Sequence, residues 1–307
     1  MTWNTRSHRC VQAIGAAALA LGVLACGPAN TPPAHTGVVE SVERPRSITL
    51  DGESNFRDLG GYATTDGRSL KWGVLFRSGE LHDLSDDDLR VVESLGVRSV
   101  VSFLTGEEVA ARGHDRVPPG VRELAFPIEG GIAGELASVV LEARKSGDFS
   151  KVPADLNPEL HRLLVEHGAD QYAALIREII TEESLPLVFH CSHGVHRTGT
   201  AAAIILSLAG IPWETVREDY LLSNSTRSEE VARRLAALRE LAASNQGVPV
   251  ENVDTTNMDA FYILNGEYID ATRDEVITSY GSFENYATDR LGLTSEELAR
   301  LKSVFMD

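Results

Sequence analysis

The sequence predicts an α/β protein in which a mostly parallel sheet is flanked by helices and followed by a helical C-terminal extension. Short apolar runs typical of strands alternate with helical segments as far as about residue 209. From residue 212 onward the predicted elements are helices. Strands joined through helices run parallel, because the helix carries the chain back to the end of the sheet where the previous strand began.

The first predicted strand and its neighbours come early in the chain. Ser85 precedes three aspartates and is predicted to begin a helix that Gly96 ends. The β-rich run 98–104 follows, and the second strand is predicted at 121–127. Further helices are predicted at 107–112, 134–146 and 169–182.

A third strand is predicted at 187–190, a short apolar run bounded by Pro186. A ten-residue motif comes next, and a buried helix then runs to Gly210. The later helices are predicted at 212–222, 227–242, 266–279 and after Thr294, where Glu297 completes a capping box.

The N-terminus has the layout of an export signal. Arg6 and Arg9 precede an apolar run that ends at Cys26, so residues 1–25 are predicted to be a signal peptide too short to span a bilayer comfortably. This end of the run resembles a bacterial lipobox, which predicts lipidation of Cys26. The alternative is a secretory peptide cut near Ala25 or Ala29. Either reading predicts export, as a cell-envelope lipoprotein or as a secreted protein.

The remaining chain divides into a tether and one domain. Residues 26–46 are rich in proline and small residues, which predicts an extended segment, and residues 47–307 are predicted to form a single domain. Of the three cysteines, Cys10 leaves with the signal and Cys26 carries lipid. Cys191 is then a lone thiol in an oxidising compartment, which favours a chemical role over a structural one.

Composition limits the partners of the domain. The formal charge of the 307 residues is −17, which argues against nucleic acid or an anionic membrane surface as a partner. Contact with the membrane is therefore predicted only through the lipid, and an anionic substrate must be attracted locally.

The motif after the third strand carries the predicted chemistry. Cys191 and Arg197 bracket five residues between a strand and a helix, where a loop can turn its N–H groups inward around an anion. The helix N-terminus and these N–H groups also stabilise a thiolate. The predicted phosphate-binding residues are Ser192, His193, Gly194, Val195, His196, Arg197 and Thr198.

These residue types point to phosphate-ester hydrolysis through a thiolate. Arg197 offers a planar fork to two phosphoryl oxygens, and Cys191 can form a cysteinyl phosphate that water then hydrolyses. Thr198 can donate its hydroxyl to the departing sulfur. The chemistry requires neither a metal nor a cofactor.

The segment 190–199 resembles the phosphate-binding loop of protein tyrosine phosphatases, and 55–62 resembles the N-terminal signature of the bacterial tyrosine/serine phosphatase family. Similarity extends over about residues 47–306. The resemblance implies a tyrosine-phosphatase-like fold and hydrolysis of phosphotyrosine. In some members it implies action on phosphoserine, phosphothreonine or phosphoinositides.

Two departures from the family leave the proton donor open. Val195 and His196 stand where members usually have Lys and Asp, and 102–104 lacks the usual Asp and Arg. His196 is the first candidate for the general acid, as an imidazolium beside phosphate, or it only rims the pocket. Asp58 is the second candidate, or it is a hydrogen-bonding residue of a turn.

The predicted substrate is a phosphorylated protein or a small phosphomonoester, and the oligomeric state is open. The rival functions are an inositol-phosphate or small phosphomonoester phosphatase and a catalytically weak phosphate-binding protein. Arg57 and Arg77 either extend the positive field of the site or pair with carboxylates.

Overall fold

A five-stranded sheet organises the protein, whose computed structural model describes residues 44–129 and 135–306. Its strands are β1 (Arg57–Asp58), β2 (Leu75–Ser78), β3 (Ser99–Ser102), β4 (Arg122–Ala125) and β5 (Leu187–His190). Their order is β1-β2-β5-β3-β4, and only the pair β1 and β2 is antiparallel. The predicted parallel-rich α/β fold is confirmed, whereas the predicted signal, Cys26 and most of the tether lie outside the described residues.

Helices cover both faces of the sheet and make up the C-terminal part. They are α1 (Asp86–Ser94), α2 (Gly106–Arg112), α3 (Glu135–Ser146), α4 (Leu156–His167), α5 (Ala169–Ile179), α6 (Arg197–Leu208), α7 (Trp213–Thr226), α8 (Ser228–Gln246), α9 (Thr256–Tyr262), α10 (Gly266–Tyr280), α11 (Phe283–Asn285) and α12 (Ser295–Phe305). Within the described ranges, no helix combines the length and apolar character needed to cross a bilayer.

Local sequence explains where several helices begin. The hydroxyl groups of Ser85, Thr105 and Thr294 each accept a hydrogen bond from the backbone N–H three residues later. The acidic side chain at that later position in turn accepts a hydrogen bond from the backbone N–H of the Ser or Thr. Such a reciprocal cap satisfies two otherwise unpaired donors and typically contributes about 1 kcal/mol. The capping box predicted at Thr294 is confirmed.

The central strand β5 connects the two sides of the core. Leu187 and Phe189 pack in the cluster that includes α5 and α6, whereas Val188 packs with α1 on the other face. Alternation of side chains along a strand produces this division. The carboxyl ends of β2, β5 and β3 lie side by side, since Ser78 and Ser102 both pair with His190.

The structure adds elements that the sequence did not predict. The helices α4 and α9 and the short strands β1 and β2 are new, and the predicted helix 169–182 ends at Ile179. In α4, Asn157 and Pro158 are residues typical of turns, but proline is tolerated in the first turn of a helix. Burial of Leu160 and Leu164, together with packing of α4 on α10, stabilises this helix.

Candidate active site

The loop that joins β5 to α6 occupies the edge where the carboxyl ends of the central strands meet. It comprises Cys191 to His196, and Arg197 is the first residue of α6. The first N–H groups of a helix have no partner within it, so this end carries roughly half a positive charge. The predicted succession of strand, loop and helix is confirmed.

Three consecutive carbonyl groups of this loop are turned outward and held there by donors from elsewhere in the chain. The hydrogen bonds are Glu80 N to Ser192 O at 3.3 Å, Asn55 Nδ2 to His193 O at 3.0 Å and Arg77 Nη2 to Gly194 O at 2.8 Å. With its carbonyl groups fixed outward, the loop presents N–H groups on its concave side. This is the arrangement that cradles an anion.

Gly194 is required for this loop conformation. Its φ angle is +65°, a region that side chains with a Cβ rarely adopt. A Cβ at this position would also lie 2.5 Å from the carbonyl oxygen of Ser78 at the end of β2. The loop can therefore approach β2 closely only with glycine here.

A buried ion network positions the donors that hold the loop. Asp219 of α7 accepts hydrogen bonds from Arg57 Nε at 3.1 Å, Arg77 Nη1 at 2.5 Å and the Tyr62 hydroxyl at 3.0 Å. Burial alone would raise the pKa of Asp219, but the charges of the two arginines lower it below its usual range. Of the two roles open for Arg57 and Arg77, pairing with a carboxylate is the one observed.

Both arginines connect Asp219 to the loop. Arg77 donates directly to the Gly194 carbonyl, as described above. Arg57 Nη1 donates to Asn55 Oδ1 at 2.5 Å, which turns the amide NH₂ of Asn55 toward the loop. One carboxylate thus fixes two independent contacts to the anion cradle.

Cys191 lies at the start of the loop with 3% of its surface exposed. Burial alone would raise the pKa of its thiol. The charge of Arg197, the hydroxyl and N–H of Thr198 and the N–H of His193 outweigh burial and lower that pKa. The site therefore favours the thiolate.

His190 precedes the loop and is held by a residue that sequence reasoning missed. Its Nε2 lies 2.9 Å from Asp115 Oδ2, and the imidazole is fully buried. Burial lowers the pKa of His190, but the contact with Asp115 outweighs it and raises the pKa overall. The protonated form of this imidazole beside Cys191 is thus more stable than that of an ordinary histidine.

Arg197 is held by Glu108, a second residue that sequence reasoning missed. Nη1 and Nη2 of Arg197 each donate to one carboxylate oxygen of Glu108 at 2.6 Å, and Nη1 also donates to Phe103 O at 2.8 Å. A guanidinium has five N–H groups. These contacts occupy the N–H groups of Nη1 and one N–H of Nη2. Within the described part of the chain, the edge formed by Nε–H and the second Nη2–H stays available for two phosphoryl oxygens.

The spacing of Thr105 and Glu108 could have indicated this helix start. Glu108 also closes the capping box of α2, because Thr105 N donates to its Oε2 at 2.9 Å. The signal in the sequence is therefore a Thr followed three residues later by Glu directly after a predicted strand.

The surroundings of His196 favour a neutral imidazole, and its predicted role as the general acid beside phosphate stays a prediction. Burial, followed by the charge of Arg197, lowers the pKa of His196 to about 3, so the imidazole is neutral. Its Nε2 lies 2.8 Å from Asn157 Oδ1. Because the Asn157 amide donates to backbone carbonyl groups of α9, this Oδ1 accepts the proton of His196. The proton is thus engaged away from an ester oxygen.

His193 is likewise neutral, because burial and nearby arginines lower its pKa well below the ordinary value. Arg234 Nη1 donates to its Nε2 at 2.7 Å, and its Nδ1 lies 2.9 Å from Ser192 Oγ. The ring of His193 is therefore fixed between α8 and the loop.

Asp58, the second candidate for the acid, lies toward the other end of β2. Its two carboxylate oxygens accept hydrogen bonds from the N–H groups of Gly60 at 2.8 Å and Gly73 at 2.7 Å. Gly73 precedes β2, whereas the loop follows the opposite end of that strand. The geometry supports the alternative of a residue that stabilises a turn.

A cavity of about 340 Å³ opens over the loop. Five of the seven predicted phosphate-binding residues line it, namely Ser192, His193, Val195, His196 and Arg197, whereas Gly194 and Thr198 are buried outside its lining. Apolar walls come from α3, α4 and the segment that starts in α9, through Val140, Leu141, Leu160, Leu164, Phe261, Tyr262 and Leu264. The charged lining residues are Arg112, Arg144, Arg197, Arg227 and Glu108.

This lining makes the cavity locally positive in a protein whose formal charge is −17. The single carboxylate among the lining residues, that of Glu108, is bound to Arg197. Positive charges that line a cavity with apolar walls attract an anion more strongly than the same charges do in open solvent.

Replacing Asp219 with Asn should disturb the loop through both arginines. We expect Asp219→Asn to destabilise the protein by about 3–5 kcal/mol, because two guanidinium groups stay buried with one neutral partner. In the fraction that folds, the pKa of Cys191 should rise, as measured by the pH dependence of alkylation with iodoacetamide.

Asp66→Asn is the matched control, because Asp66 also pairs with an arginine but lies at the surface. Exposed ion pairs contribute little, so this variant should keep the stability and the Cys191 pKa of the wild type. Equal behaviour of the two variants would contradict the role of the Asp219 network.

Comparisons with known proteins identify the family of the chain. The sequence profile of the tyrosine phosphatase family matches residues 48–307. The Triple specificity protein phosphatase PtpB of Mycobacterium tuberculosis is 28% identical over 277 residues, which cover 84% of this chain and 98% of that protein. A tyrosine-protein phosphatase of Nostoc commune is 25% identical over 150 residues, covering 48% and 47%.

Among solved structures, TpbA of P. aeruginosa in complex with pTyr matches with a TM-score of 0.30 and 17% identity, over 58% of this chain and 90% of that one. The family profile covers most of the sequence, including every loop residue described above. The chain belongs to the tyrosine phosphatase family.

Proposed function

We propose that the protein hydrolyses phosphotyrosine esters with Cys191 as the nucleophile and Arg197 as the phosphate-binding residue. The observation that carries this proposal is a buried cysteine of lowered pKa at the start of a loop whose carbonyl groups are fixed outward. Arg197 adds a free guanidinium edge at the other end of the loop.

The reaction proceeds in two displacements. The Cys191 thiolate attacks phosphorus while the bond from phosphorus to the tyrosine oxygen breaks, which yields a cysteinyl phosphate and the phenol. Loop N–H groups and the free edge of Arg197 stabilise the charge on the non-bridging oxygens. Water then attacks phosphorus, and the thiolate leaves with help from Thr198.

The walls of the pocket favour an aromatic ester. Phe261, Tyr262 and Leu264 offer apolar surface to a phenyl ring whose phosphate reaches the loop. Val195 is an apolar lining residue, so this position offers no charge to the ring hydroxyls and phosphates of an inositol. Phosphotyrosine therefore fits better than an inositol phosphate.

We propose Glu129 as the source of the proton for the leaving phenol. The preceding carbonyl, that of Ile128, accepts a hydrogen bond from Arg197 Nη1 at 3.3 Å, which ties this segment to the site. Glu129 is the next residue and is exposed to solvent. In the described lining of the pocket the only carboxylate is Glu108, whose pKa is lowered by its contacts with Arg197 in spite of burial. Glu108 is therefore a poor proton donor.

Cys191→Ser should abolish turnover while leaving the pocket in place. Loss of the nucleophile should reduce kcat on a phosphotyrosine peptide by roughly 10³-fold or more. Isothermal titration should still detect binding of that peptide. Full activity of the variant, or wild-type activity that a chelator removes, would contradict a cysteine-dependent mechanism. Binding without turnover by the wild type would instead indicate a phosphate-binding protein.

The leaving group distinguishes the two acid candidates. Glu129→Gln should lower kcat on phenyl phosphate by about 10²- to 10⁴-fold but change little on an ester of an activated phenol, which leaves without a proton. His196→Gln should affect both esters alike. Selective loss on phenyl phosphate in His196→Gln, rather than in Glu129→Gln, would return the role to His196.

We also propose that the protein is an exported lipoprotein anchored through Cys26, with residues 26–46 as a tether to the domain that follows. The support is the order of residues in the leader, in which two arginines are followed by an apolar run with many small residues and then by Cys26. Cys26→Ala should move the protein from the membrane fraction to the soluble one and stop incorporation of labelled palmitate. Labelling and fractionation that match the wild type would contradict lipidation at Cys26.

A further inference from the structure

Arg227 is a buried charge in the wall of the active pocket. It caps the junction of α7 and α8, lines the cavity and has 4% of its surface exposed. Its Nε donates to Glu230 at 3.4 Å, and this long contact is the single hydrogen bond of its guanidinium within the part of the chain that the structure describes. Because this residue lines the cavity, its two terminal nitrogens are available to a ligand that enters the cavity.

A second arginine reaches the same cavity from a different helix. Arg144 of α3 lines the pocket, and its guanidinium carbon lies 5.3 Å from the ring centroid of Phe261. The positions of Arg144 and Arg227 are remote from Arg197 in sequence. Burial and the charges of both arginines lower the pKa of His193, which agrees with their convergence on one region of the pocket.

The scissile phosphate supplies no hydrogen-bond partner to Arg144 or Arg227. In the proposed reaction it is held by the loop N–H groups and by the free edge of Arg197, which is fixed by Glu108. A substrate with only one anionic group therefore satisfies Arg197 and not Arg227. A second anionic group on the same substrate would match the fork of Arg227.

We propose that Arg227 and Arg144 form a second anion subsite, which selects phosphotyrosine peptides with a carboxylate or a second phosphate on a residue beside the phosphotyrosine. This inference rests on the proposed function and names its substrate class. The apolar surface of Phe261 and Tyr262 accommodates the aromatic ring between the two anions. The chemistry shared by the two possible groups is a pair of anionic oxygens.

The test compares kcat/KM on peptides that differ only beside the phosphotyrosine. One peptide has Glu on both sides, a second has Gln, and a third has phosphothreonine on one side. The wild type should prefer the Glu peptide over the Gln peptide by about 10-fold or more, since hydrogen bonds to charged groups are the strong ones. The phosphothreonine peptide shows which of the two anions fits better.

Arg227→Gln should bring the ratio of Glu to Gln peptide close to one, mainly through a higher KM for the Glu peptide. Arg233→Gln is the matched control, because Arg233 also belongs to α8 but its side chain is 74% exposed. This variant should keep the wild-type ratio. Arg144→Gln provides an independent test if Arg227→Gln does not fold, and it should also lower the ratio.

A wild type that prefers neither the Glu peptide nor the phosphothreonine peptide over the Gln peptide would overturn the subsite, as would preferences that stay unchanged in both pocket variants. Higher kcat/KM on an inositol bisphosphate than on any peptide would overturn the choice of a peptide. If the wild type cleaves the Gln peptide without preferring either the Glu peptide or the phosphothreonine peptide, this inference fails and the proposed function stands. If it cleaves no phosphotyrosine peptide, the proposed function itself fails.

Discussion

The site depends on the contact of one carboxylate with two buried arginines. Removing two guanidinium groups from water is costly, and their mutual repulsion adds to that cost. Asp219 offsets both terms, because its two oxygens accept from Arg57 and Arg77. The arginines in turn fix Asn55 and the Gly194 carbonyl. The inward direction of the loop N–H groups is thus set by a charge pair outside the pocket.

The arginines around the loop have two different environments, which differ in how much of each guanidinium is occupied by protein partners. Arg57 and Arg77 are both paired with Asp219 and shape the loop, whereas Arg197 is paired on one edge only and keeps the other for the substrate. Glu108 fixes Arg197 because α2 begins directly after β3, whose end lies beside β5. The fold therefore delivers a preorganised positive pocket without changing the acidic character of the whole protein.

Local features of the site could be predicted from sequence, and partners from distant segments could not. The loop between Cys191 and Arg197 follows an apolar strand and precedes a helix. Its structure depends on neighbours in the chain and was therefore predictable. The pairing of Asp219 with Arg57 joins residues that are far apart in sequence. The pKa of His196 depends on burial and on the charge of Arg197, and its ring contacts Asn157 of α4, a helix that the sequence did not predict. Residue type alone therefore could not indicate the protonation state of this imidazole.

The unpredicted helices also determine what kind of ester the loop can meet. The loop supplies the floor of the pocket, which binds any phosphoryl group, and α4 with the segment that starts in α9 supplies apolar walls. Asn157 joins these parts, because its amide donates to α9 while its oxygen accepts from His196. The position of the apolar wall from α9 is therefore coupled to that of His196, the last residue of the loop. Chemistry at the floor follows from a short motif, whereas selection among phosphate esters follows from long-range packing.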